Sequence, residues 1–188
     1  MKSAQEWVVV RIDGRITAIS TDYKRLAAIT TKVAQQKTPA YKTITAETVD
    51  LEYILEIRKN IQWDDLLLFG TPFQKKVWKK LWDMGRTRIL SYSDFAELCE
   101  NKAGVRAVAH AIGLNPIPII IPCHLVVPKE SIDKIREIKT KAQSTIFKGE
   151  DLSIKAILED PTIDFGEYAF GRRLKKALIS MDLSTEES

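Results

Sequence analysis

Asn115-Pro116-Ile117-Pro118-Ile119-Ile120-Ile121-Pro122-Cys123-His124 is the stretch from which the rest of the chain is read. Prolines fence a β-branched apolar run that is too short and too proline-bounded for a helix. Ile117 to Ile121 is therefore expected as a buried strand or extended segment. It delivers Cys123, followed at once by His124, at the end of a rigid element. The chain has only two cysteines and two histidines, so one of each side by side draws attention. A cysteine after an apolar run also serves as a small core residue, and the local pattern alone leaves both readings open.

The whole chain bounds the answer. Its 188 residues suit one domain or two small ones, and 45% hydrophobic content suffices for a packed core. A net charge of +4 is compatible with a polyanionic partner and falls far short of a histone-like binder. Cys99 and Cys123 do not make a disulfide framework, which points to a reducing compartment. Met1 to Trp7 lacks an apolar signal region and no apolar run reaches membrane-spanning length, so a soluble intracellular protein with no membrane partner is expected.

Outward from the central stretch, Trp7 to Ile12 and Arg15 to Ser20 flank Asp13-Gly14, the signature of a hairpin with a type I′ turn. Leu26, Ile29 and Val33 predict an amphipathic helix over 23–36. Lys37 to Ala46 reads as a loop or edge segment, 49–61 as a weak helix or a strand, and Leu66 to Phe69 as a short strand. Gly70-Thr71-Pro72 marks a boundary. Beyond it Phe73, Val77, Trp78, Leu81 and Trp82 form one helical face, with lysines opposite that read as a solvated face. Ser91 is placed to cap a helix through Cys99, and Ala103 to Ile112 follows a tight break. The pair looks like a helix-turn-helix, although many helical hairpins bind nothing. Leu125 to Pro128 is expected as a short strand, with helices over 131–142, 147–158 and 172–181, a turn-containing loop over 166–171, and a frayed tail from Thr185.

Five segments in one order then carry a resemblance: Gly70-Thr71-Pro72-Phe73-Gln74, Ser91-Tyr92, Val105-Arg106-Ala107-Val108, the stretch from Asn115 to His124, and Tyr168 through Gly171. In these the chain resembles the methylated-DNA–protein-cysteine methyltransferases, the O6-alkylguanine-DNA alkyltransferase family, over about half its length. The resemblance implies direct, single-turnover transfer of an alkyl group from O6-alkylguanine in double-stranded DNA to Cys123. It implies that His124 relays the thiol proton through a water and is oriented by an acid, here Asp182 where relatives carry glutamate. Arg106 would enter the base stack in place of the flipped nucleotide, and Tyr92 would press on its phosphate. Gly104 and Ala107 would let the helix approach the DNA backbone. Asn115 would brace the turn, Pro118 would wall the alkyl group, and the carbonyls of Cys123 and Val126 would read the exocyclic amine. Tyr168 would hydrogen-bond the base, and Ala169 would offer its N–H near O6.

Departures are also visible. Leu125 stands where the family has arginine, Phe170 where glycine is common, and 129–164 is far longer than the usual hairpin. The expected fold class is α+β: a small amino-terminal β-hairpin/sheet plus helix domain over 1–69, then a mostly helical, winged helix-turn-helix-like domain over 70–188. The segment 129–164 is an inserted pair of surface helices, either leaning over the pocket or meeting a protein partner. No cofactor and no metal are expected, since no Cys or His precedes Cys99. A monomer is expected, cytoplasmic if bacterial and nuclear if eukaryotic. Two rivals remain: an alkyltransferase-like protein that binds lesions without transferring, and a helix-turn-helix transcription regulator whose cysteine is structural.

Overall fold

A computed structural model describes residues 6–34, 41–144 and 157–184. Its sheet is organised on β1, Trp7–Ile12, which pairs antiparallel with β2, Arg15–Ser20, on one side and β3, Ile44–Val49, on the other. The Trp-Val-Val-Val run suits this central place because both faces of β1 are covered. Trp7 and Val9 point into the main core, while Val8 and Val10 pack with Ala18 and Leu26 beneath α1, Tyr23–Ala34. Asp13 and Gly14 turn the hairpin with φ of 48° and 80°, the positive values that a type I′ turn requires. Edge strand β3 is exposed along most of its length and is rich in Thr and Glu, as an open sheet edge should be.

Residues 49–61 resolve into the end of β3 and a short helix α2, Leu51–Ile57, capped by the side chain of Asp50. The strand expected at Leu66 to Phe69 is absent. A 3-10 turn over Trp63–Asp65 precedes a single bridge of Leu66 to Ile16, because Leu67 N donates to Ile16 O and only one residue pairs. Thr71 and Gln74 then exchange capping bonds at the start of α3, Pro72–Met84, worth about 1 kcal/mol to the helix. Gly70 is required here, since a Cβ would lie 2.7 Å from the Trp78 ring.

Helices α4, Tyr92–Leu98, and α5, Val105–Gly113, form the expected helix-turn-helix, with Ser91 capping the first. Buried Trp78 ties α3 to α5 through Nε1 to Ala111 O at 2.8 Å. The lysine face of α3 is solvated, with Lys76 paired to Glu100 and Lys79 to Asp83. Two-residue strands β4, Leu90–Ser91, and β5, Val126–Val127, pair in parallel and lash α4 to the segment after Cys123.

The insertion begins as α6, Lys129–Ser144, and residues 157–159 are helical again. Most of the predicted 147–158 helix, and the tail from Thr185, lie outside the described residues. The described part is stitched into the body: Ser131 Oγ donates to Asp164 O, and Ile132, Ile135, Ile157, Ile163 and Phe165 join the main core. α7, Arg172–Ser184, closes the described chain. Apolar residues from both sides of the 69/70 boundary share that one core, Trp7, Ile16 and Ile54 with Trp78, Phe95 and Leu178. The likeness of the whole to an α+β architecture holds. No helix among the described residues is long and apolar enough to cross a membrane.

Candidate active site

The Asn115–His124 stretch is buried, but it is not a strand. Pro116, Pro118 and Pro122 lack the N–H a ladder needs, and Ile119 takes φ of 73°, a left-handed conformation that a β-branched residue adopts only under constraint. The run folds back on itself as a turn, with Ile121 N donating to Ile117 O at 3.0 Å and one bridge between Pro118 and Ile121. Cys123–Leu125 then forms a 3-10 turn leading into β5.

Asn115 organises this turn from inside. Its Oδ1 accepts from Ile117 N at 3.0 Å, and its Nδ2 donates to Ile121 O at 3.0 Å and to Cys123 Sγ at 3.1 Å. The bracing expected of Asn115 is present, and it extends to the sulfur. Burial pushes the Cys123 thiol up, while the Asn115 bond and the charges of Lys175 and Arg25 pull it down. The side chain remains 8% exposed, at the wall of a cavity of about 420 Å³.

His124 is fully buried, and its Nε2 meets Asp182 Oδ2 at 2.7 Å. Its Nδ1 has no partner among the described residues. Burial lowers the imidazole's pKa despite Asp182, so the ring is held neutral. The shorter acid reaches the histidine directly, because α7 lies against the 3-10 turn. Asp182 also accepts from Arg58 Nη2 at 2.8 Å through Oδ1.

The cavity brings together Tyr92, Asn115, Pro118, Cys123, Tyr168 and Ala169, six of the residues singled out by the sequence. The buried hydroxyl of Tyr168 has no partner among the described residues. Phe170 lines the same cavity and stacks against Trp7, ring centroids 4.7 Å apart, and against Tyr168. No described residue of 129–164 lines this cavity, so the described insertion does not lean over it.

Val126, Gly104, Arg106 and Ala107 lie outside the cavity lining. Val126 is buried and its carbonyl already accepts from Lys175 Nζ at 3.0 Å, so it is not an idle acceptor. Gly104 lacks a Cβ for a local reason, since one would fall 2.4 Å from the Asn101 side chain. Arg106 and Ala107 are exposed on the first turn of α5, whose later residues Ala109, Ile112 and Gly113 form part of the wall.

The sequence reading missed four basic residues: Arg25, Arg58, Arg86 and Lys175. Arg25 of α1 donates to Gly113 O and Asn115 O at 3.1 and 2.6 Å and lies over the Phe170 ring. Arg86 donates to Ile120 O at 2.7 Å. Lys175 is only 1% exposed, and burial pushes its ammonium down to about 8. Spacing gave no sign of Arg25, Arg58 or Arg86, which come from distant segments. Lys175 sits seven residues before Asp182, two turns along the same face of α7, and that signal was available.

Residues 72–150 match the family described as "6-O-methylguanine DNA methyltransferase, DNA binding domain". A probable methylated-DNA–protein-cysteine methyltransferase of Acanthamoeba polyphaga mimivirus is 55% identical over 69 residues, covering 36% of this chain and 45% of that protein. The constitutive methylated-DNA–protein-cysteine methyltransferase of Bacillus subtilis (strain 168) is 37% identical over 87 residues, covering 46% and 53%. The chain thus spans about half the length of these curated relatives, or less. The crystal structure of O6-methylguanine-DNA methyltransferase from Pyrococcus kodakaraensis strain KOD1 matches with a TM-score of 0.56 at 21% identity, covering 97% of this chain and 94% of that one. The Mycobacterium tuberculosis O6-methylguanine methyltransferase matches with a TM-score of 0.52 at 22% identity, covering 91% and 82%. At those identities the likeness concerns the fold.

Proposed function

We propose that the chain, whose residues 72–150 match the 6-O-methylguanine DNA methyltransferase DNA-binding domain, repairs DNA by moving an alkyl group from O6-alkylguanine to Cys123. The observation that carries this reading is the relay behind the sulfur. A neutral buried histidine is held by Asp182 through one nitrogen and leaves the other without a partner among the described residues, in the residue next to a cysteine at a cavity wall.

In this reading the helix-turn-helix grips phosphates with little sequence preference and Arg106 fills the gap left by the flipped base. Tyr168, whose buried hydroxyl lacks a partner among the described residues, hydrogen-bonds that base. The Cys123 thiol gives its proton to His124 Nδ1 through a water. The thiolate attacks the alkyl carbon in line, so a C–S bond forms as the C–O6 bond breaks. The electron pair released to the purine is matched by a proton delivered to its N1, which restores guanine. The thioether has no leaving route, so each molecule acts once.

Incubation with an O6-methylguanine oligonucleotide and intact-mass measurement tests this. One methyl group should appear on the wild-type protein and none on Cys123→Ser. A protein that binds the duplex and keeps its mass would instead be a lesion binder.

A further inference from the structure

Arg58, just past α2, lies in the amino-terminal part of the chain, yet its guanidinium ends on the acid behind the reactive pair. Nη2 donates to Asp182 Oδ1 at 2.8 Å, while the other carboxylate oxygen meets His124 Nε2 at 2.7 Å. The acid is thus shared, one oxygen each, in a place where its side chain is 1% exposed. A carboxylate so dry is stable only beside a compensating cation. Other groups that face it are Arg86, which donates instead to Ile120 O, and the Tyr168 ring, edge-on to His124.

An ionised carboxylate only accepts, which forces the hydrogen of the shared bond onto Nε2. Nδ1 then carries the lone pair. A carboxylate turned away from the ring would release Nε2; the ring hydrogen would then be free to sit on Nδ1 and the acceptor would be lost. We infer that Arg58 is a positioning residue that fixes the Asp182 carboxylate with Oδ2 on Nε2 and so holds His124 in the tautomer able to take the Cys123 proton. This rests on the alkyl-transfer reading. It also makes the amino-terminal part of the chain a working component of the relay, at two removes from the sulfur.

The test uses the full chain labelled with ¹⁵N-histidine, which gives two imidazoles, one of them the exposed His110. Wild-type His124 should report the Nε2–H tautomer. Arg58→Met should shift it toward Nδ1–H and slow methyl transfer about 10- to 100-fold, the usual cost of losing a group that orients a reactive one. Arg58→Lys, which keeps the charge, should restore most of the rate. A wild-type His124 with its hydrogen on Nδ1 overturns the proposal even if Arg58→Met fails to fold. So does a folded Arg58→Met that melts earlier but keeps the wild-type tautomer and rate, the behaviour of a merely structural ion pair. Wild-type protein that gains no methyl mass overturns the transfer reading instead, a result distinguishable because the tautomer is read without DNA.

Discussion

Asn115 donates its Nδ2 hydrogen to the sulfur of Cys123 at 3.1 Å, so the residue that shapes the turn also touches the proposed alkyl acceptor. The bond offsets part of the burial that pushes the thiol up. Asn115→Ala should therefore raise the thiol further and slow iodoacetamide alkylation of Cys123 at pH 7. It also leaves Ile117 N unpaired in the interior, at about 1–3 kcal/mol, and takes one of two bonds from Ile121 O, which keeps Cys123 N. Alkylation followed across pH, with a denaturant melt, reads both effects. An unchanged alkylation profile would remove Asn115 from the chemistry.

Lys175 places an ammonium near the sulfur at the cost of burying it, down to about 8. Its folded pKa is lower than the unfolded one, so its contribution to stability is full above the unfolded value and is lost as pH falls through about 8. Between pH 8 and 10.5 the wild type should gain about 3 kcal/mol relative to Lys175→Met. Ionisation of the raised Cys123 thiol acts the other way above its unfolded pKa and is itself altered by loss of Lys175, so the comparison is made with Cys123→Ala in both proteins. Without the ammonium, Cys123 should also react more slowly at pH 7. Parallel melts with equal slopes in pH would contradict this assignment.

Ile119 combines full burial with φ of 73°. Truncation to Ala should cost about 2–5 kcal/mol in lost packing. Gly removes the same side chain but relieves a left-handed conformation that costs a non-glycine residue about 1–3 kcal/mol. The usual order should invert, with Ile119→Gly the more stable of the two by about 1 kcal/mol in chemical denaturation. Ala more stable than Gly would mean that the turn is not strained.

Arg106 is exposed on the first turn of α5 and outside the cavity lining. If it fills the gap left by a flipped nucleotide, Arg106→Ala should slow methyl transfer from duplex DNA about tenfold or more, since unstacking costs a few kcal/mol. Transfer from the free O6-methylguanine base needs no flipping and should be unchanged. Equal slowing on both substrates would move Arg106 from the DNA step to the pocket.

Much of this was legible in the linear chain, and for one reason: local rules act on neighbours. Asp13-Gly14 turns a hairpin wherever it lies, Thr71 to Gln74 caps the next helix, and Ser91 caps the one after. Cys123 and His124 were marked by adjacency, while Asn115, Tyr168 and Asp182 were reached through the order of motifs. The proline-fenced run was misread as extended because its apolar character says that it is buried and not which way it bends. The electrostatics behind the sulfur lay beyond reach. Arg58 meets Asp182 across 124 positions and Arg25 meets Asn115 across 90, contacts that exist only once hydrophobic burial has packed the sheet, α2 and α7 around one core. The sequence alone determined which residues are candidates for the chemistry; the tertiary structure decided which charges surround them, because a charge acts through distance in space and not along the chain.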